Sequence, residues 1–130
     1  MIKKTVTYTD LNGNTRTESF YFHYYESEIL EMEMSVEGGF KERIQRIIDA
    51  QDQPSLMREI KKFVLSAYGV KSEDGKRFIK NDEVKAAFEQ CPAYSKIFME
   101  LVMDDKVASE FVKGVVPADM SDRVANAVAK

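Results

Sequence analysis

The chain changes its hydrophobic period just past Tyr25, and that change limits what it can fold into. Before that point the pattern alternates: Val6 and Tyr8 share one face of an extended segment, with Thr5 and Thr7 on the other. Leu11-Asn12-Gly13-Asn14 follows, and Asn-Gly supplies two residues that tolerate positive φ, as a tight hairpin turn requires. Thr15 to Tyr25 is then crowded with β-branched and aromatic side chains, among them Phe20, Tyr21, Phe22, Tyr24 and Tyr25. The pattern predicts a β-hairpin over about residues 2–25. A lone hairpin is only marginally stable, so this one must pack on helices or pair with another chain.

Beyond the hairpin, apolar residues recur at helical intervals. Residues 26–36 carry both signals. Leu30, Met32, Met34 and Val36 alternate with Glu31, Glu33 and Ser35 as a strand would, whereas the Glu, Leu and Met content and Ser27 as an N-cap favour helix. Helix is the preferred reading, ended by Gly38-Gly39. Phe40, Ile44, Ile47 and Ile48 fall on one helical face. Pro54 suits the first turn of a further helix with a stripe of Leu56, Ile60, Phe63, Val64 and Ala67, which should stop near Gly69.

Asn81-Asp82-Glu83 has the form of a helix start, with Val84, Phe88 and Cys91 as its inward stripe. Pro92 restarts a helix whose Tyr94, Ile97, Phe98, Leu101 and Val102 point inward. Asp104 or Asp105 caps a last helix bearing Val107, Ala108, Phe111 and Val115, closed by Gly114 and Pro117. The expected fold is mainly α with an N-terminal β-hairpin, an α+β domain over residues 1–117 built as a small bundle of amphipathic helices from about residue 27 to 116. Residues 118–130 are expected to form a weakly helical or flexible tail.

Bulk properties exclude several function classes. Nineteen basic against 22 acidic residues leave a formal charge of −3, which argues against broad nucleic-acid binding. The single cysteine, Cys91, rules out an intrachain disulfide and fits a reducing cytoplasm. No apolar run follows the first lysines as in a signal peptide, and none is long enough to span a bilayer.

Chemistry-bearing residues are sparse. His23 lies among aromatics in the hairpin, where a structural role outweighs that of a general base. Cys91 lies in an apolar stripe before a proline and reads as a buried, inert thiol. Ser72-Glu73-Asp74-Gly75 suggests a calcium loop. Aligning Gly75 with the loop's invariant glycine, however, puts Val70 and Asn81 at the first and last ligand positions, and both fail. The better reading is a β-turn, with Val70 and Phe78 facing each other across it. No nucleophile, base and oxyanion site assemble, so no enzyme, cofactor or metal is expected.

Several segments together resemble the tail assembly chaperones of long-tailed phages, especially those of phages of Gram-positive hosts. AYGVKSEDGKRFIKNDEV (Ala67 to Val84) and AYSKIFMELVMDDKVASEFVKGVVP (Ala93 to Pro117) carry the likeness, linked by Phe88-Glu89-Gln90. FYFHYYESEILEMEM after the hairpin adds to it, and the likeness runs from about Tyr8 to Pro117. Tyr68, Gly69, Ser72, Asp74, Gly75, Phe78, Tyr94 and Phe98 stand out as structural motif residues.

The resemblance implies a non-enzymatic role in the host cell cytoplasm. Such chaperones coat the tape measure protein, keep its apolar helices in solution, promote polymerisation of the tail tube protein, and leave before the virion is complete. Many copies on one long client imply a homo-oligomer, and the hairpin edge is a candidate for that contact. Neither nucleic acid nor membrane is an expected partner. Met32, Met34, Met57, Met99 and Met103 lie near amphipathic faces and suit an adaptable surface. The competing reading is a permanent phage part, such as a head–tail connector or tube-associated protein.

Overall fold

The computed structural model describes residues 1–115 apart from 36, 40, 41, 44, 45, 47 and 48. Val36, the stripe of Phe40, Ile44, Ile47 and Ile48, and the tail expected over 118–130 lie outside the described residues. The described elements are strands β1 (Ile2–Thr9) and β2 (Thr15–Phe22), helices α1 (Glu26–Met34) and α2 (Gln53–Ala67), strands β3 (Tyr68–Lys71) and β4 (Phe78–Ile79), and helices α3 (Asp82–Glu89), α4 (Pro92–Met103) and α5 (Asp105–Val115). The fold is mainly helical with an N-terminal hairpin, as the change of period predicts.

The hairpin turn departs from expectation. Of Asn12 and Gly13 only Gly13 takes a positive φ, at 85°. Asp10 shapes the rest: its carboxylate accepts the amides of Asn12 and Asn14, each at 2.9 Å, and the Asp10 amide donates to the Asn14 carbonyl at 2.8 Å. β2 stops at Phe22 rather than Tyr25. The chain then turns under the sheet, where the Tyr24 amide donates to the Val115 carbonyl at 2.8 Å.

The β-turn expected at Ser72–Gly75 is flanked by two short strands, so residues 68–79 form a second hairpin, β3–β4, that adds to the first. The sheet has four antiparallel strands in the order β1-β2-β3-β4, with Tyr21 opposite Gly69 and Phe22 opposite Tyr68. Val70 faces Ile79 and Lys71 faces Phe78, so the expected pairing of Val70 with Phe78 is off by one residue. Propensity favours helix up to Ala67, but pairing with an existing strand outweighs propensity over so short a segment.

Helix starts follow the side chains that satisfy their free amides. Asp52 accepts the Ser55 amide for α2, Asn81 the Val84 amide for α3, and Asp104 rather than Asp105 the Lys106 amide for α5. α1 is a helix, which resolves the double pattern of 26–36. It starts at Tyr25 instead of Ser27, because the Glu28 carboxylate accepts the Tyr25 amide at 2.9 Å. Gly114 lies inside α5 instead of ending it, and a Cβ there would stand 3.0 Å from Ile2 Cδ1. Its role is to let the helix approach β1.

The core lies between the inner face of the sheet and the helices. Phe22, Ile29, Val64, Ile97, Phe111 and Val115 are its most deeply buried large side chains. Phe22 is central, with ring centroids 5.1 Å from Phe111, 5.7 Å from Phe88 and 5.8 Å from Tyr68. Truncating such a residue to alanine typically costs about 3–5 kcal/mol.

Candidate functional site

The second hairpin is organised by its turn. Ser72 Oγ donates to Asp74 Oδ1 at 2.7 Å and accepts the Arg77 amide at 3.0 Å. Asp74 Oδ1 also accepts the Lys76 amide at 3.0 Å, and these hydrogen bonds hold its carboxyl below the usual carboxylate range. Gly75 takes φ +73°. Ser72 Oγ and Asp74 Oδ1 are both used to shape the turn. Among the described residues, no three His, Cys, Asp or Glu side chains gather where a metal ion could bind.

Gly69 is needed for a close approach. A Cβ on it would lie 2.7 Å from Phe78 Cε2 and 2.9 Å from the Ile79 carbonyl oxygen. The Phe78 ring packs against Gly69 and reaches His23 edge-on at 6.1 Å, and Tyr25 meets His23 edge-on at 4.8 Å. His23 Nδ1 is buried without a hydrogen-bond partner, and burial pushes the imidazole below its ordinary pKa. A catalytic base needs a partner that orients it, and this ring has aromatic edges instead.

Tyr68 begins the second neighbourhood. Its ring stacks on Phe88 at 4.2 Å, Phe88 meets Tyr94 edge-on at 5.4 Å, and Tyr94 lies 5.9 Å from Phe98. Tyr68, Tyr94 and Phe98 thus join through Phe88 in one aromatic row from the sheet to α4. Gly69 and Phe78 belong to the His23 neighbourhood, while Ser72, Asp74 and Gly75 stay in the turn.

Cys91 is half-buried at the N-cap of α4, beside the pair formed by the Tyr8 hydroxyl and Glu18. The hydrogen bond to Glu18, with a smaller contribution from Cys91, raises the Tyr8 pKa. An activated thiolate needs a neighbouring cation, whereas the groups beside Cys91 are a phenol and a carboxylate.

Sequence reasoning missed Lys80. Its ammonium donates to the His23 carbonyl and to Glu28 Oε2, both at 2.7 Å, and lies 4.7 Å from the Tyr24 ring centroid. Burial lowers its pKa while Glu28 opposes that shift. Lys80 ties β4 to α1 and to the end of β2. The one available signal was a lysine directly after the half-buried Phe78-Ile79 pair. Next to it, a cavity of about 640 Å³ opens between α1 and α2. Its lining includes Tyr24, Met32 and Phe63, and two ion pairs stand in its wall, Arg43 with Glu59 at 2.8 Å and Lys80 with Glu28.

Among the described residues, two apolar pairs stand uncovered at helical spacing. Leu30 and Met34 on α1 are 51% and 77% exposed, and Met99 and Met103 on α4 are 50% and 76% exposed. In each pair the residues are four apart and so form a stripe on one helix face. α1 has apolar side chains on two sides, since Ile29 is buried and Met32 packs against the core. The double sequence pattern of 26–36 is the trace of this helix with two apolar faces.

No described helix is long and apolar enough to cross a membrane. No curated protein and no solved structure matches the chain. The model of one family, described as phage tail assembly chaperone, matches it over residues 1–130.

Proposed function

The chain belongs to the phage tail assembly chaperone family, and from that premise we propose that it binds the tape measure protein of a long-tailed phage, of the type found in Gram-positive hosts. It keeps the client's apolar helices in solution and promotes polymerisation of the tail tube protein around them. It acts without catalysis, in the host cytoplasm, as several copies along one client, and is absent from the finished virion. Residues 1–117 act as one domain, and Tyr68, Gly69, Ser72, Asp74, Gly75, Phe78, Tyr94 and Phe98 serve it structurally.

The observation that carries this reading is the outward stripe of Leu30 and Met34. Large exposed apolar side chains at helical spacing suit the face of another amphipathic helix. Methionine adapts its shape to varied partners, as a chaperone of a long repetitive client requires. Glu26 and Glu31 stand exposed around the stripe and keep it soluble when no client is bound.

Co-expression tests the reading. A tape measure protein that is insoluble alone should become soluble and co-purify with this chain, and mass spectrometry of purified virions should find none of its peptides. Failure of rescue, or stoichiometric presence in virions, would overturn it.

A further inference from the structure

We propose that β1 is a contact edge between two copies of this chain, which pair their β1 strands antiparallel and join their sheets into one. The contact needs only β1 and α4, so it stands or falls apart from client binding.

β1 is the outermost strand of the sheet, and it keeps eight unbroken residue pairs with β2, with no glycine, proline or bulge. The opposite edge, β4, is only two residues long. The amide of Asp10 bonds the carbonyl of Asn14, which fixes the alternation of the ladder. Ile2, Lys4, Val6 and Tyr8 then bond to β2, while the amides and carbonyls of Lys3, Thr5, Thr7 and Thr9 face the open side. The same alternation turns His23 towards the β3 side, where its amide bonds the carbonyl of Ala67, the residue before β3, at 2.9 Å. On the open side, Lys96 Nζ donates to the Thr7 carbonyl at 2.7 Å. A long, unbroken edge of this kind is a template for another strand.

Charge complementarity selects a second copy as the occupant. α4 runs antiparallel to β1, with Lys96 beside Thr7 and Glu100 beside Lys4 at 3.1 Å. A two-fold axis through the middle of β1 reverses the second molecule and sets Lys96 of each copy opposite Glu100 of the other. Lys96 releases one carbonyl and gains a carboxylate. Met103 lies seven residues, about two turns, after Lys96 and so falls on the same stripe of α4. Met99 is one turn before it, and both become covered. Thr5 and Thr7 already pair by hydroxyls with Ser19 at 3.0 Å and Thr17 at 2.9 Å, and a second β1 continues that hydroxyl row.

Residue-resolved amide hydrogen exchange on the native chain, in dilute and concentrated solution, tests this. The amides of Lys3, Thr5 and Thr7 should exchange fast when dilute and slow roughly tenfold or more when concentrated, while those of Lys4 and Val6 stay protected throughout. In parallel, Thr7→Pro removes one outward amide without touching the bonds to β2, and should shift sedimentation towards monomer. Outward amides that stay fast in concentrated solution overturn the proposal, whether the chain is then monomeric or associated through another surface. So does protection that appears only when a tail protein is added, or a folded Thr7→Pro chain that associates as before. If the proline variant does not fold, the exchange on the native chain decides.

Discussion

His23 occupies a place where a proton costs stability. Its Nδ1 is buried without a partner, its ring meets Tyr25 and Phe78 edge-on, and its own carbonyl already holds the Lys80 ammonium. Burial first, then the positive N-terminus and Lys80, push its pKa below 6.5, with Glu28 acting weakly the other way. The unfolded chain therefore binds the proton more readily than the folded one. The stabilisation is complete above the unfolded value and is lost as pH falls from 6.5 towards the folded value. Asp10, Asp52 and Asp74, held low by hydrogen bonds, lose their contributions only below their ordinary 3.8, outside this window. Denaturant unfolding at about pH 7.5 and about pH 5.5 should thus show a fall in stability that His23→Phe reduces. An equal fall in both proteins would assign the pH dependence elsewhere.

At the scale of elements, the β3–β4 hairpin depends on one missing side chain. Gly69→Ala places a methyl group 2.7 Å from the Phe78 ring and 2.9 Å from a backbone oxygen that cannot rotate away. Either β4 shifts from β3 or Phe78 leaves His23. A loss of about 1–3 kcal/mol is expected in denaturant unfolding, the usual cost of overpacking. A neutral result would mean that β4 moves freely. This hairpin also marks how far the sequence could be read. The first hairpin, the helix starts at Asn81 and Pro92, and the buried stripe of α2 are written in local pattern, because capping and amphipathicity are local. β3 and β4 are written there only as a turn, since four and two residues become strands only where β2, and then β3, offers an edge. Lys80 was illegible for the same reason: its partners Glu28 and His23 lie 52 and 57 residues away. The motif residues are readable as turn and aromatic types, but their division among the turn, the His23 neighbourhood and the aromatic row through Phe88 follows from tertiary packing.

Across the described molecule, the two exposed apolar pairs fall on separate helices, and this separates two tasks. Met99 and Met103 stand beside the β1 edge on α4, while Leu30 and Met34 stand on the outward side of α1. A chaperone that both self-associates and holds a client needs surfaces that do not compete. Charging the α1 stripe should therefore affect only one task. Leu30→Glu with Met34→Glu removes apolar surface that the folded chain already exposes, so thermal stability should change little, within the ±0.5 kcal/mol or so typical of surface substitutions. Sedimentation should be unchanged, while the fraction of soluble tape measure protein in co-expression should fall several-fold, since each buried side chain contributes about 1.5–3 kcal/mol to an apolar contact. Retained solubilisation by a folded double variant would move the client site off α1, and a change in sedimentation would show that the two surfaces are one.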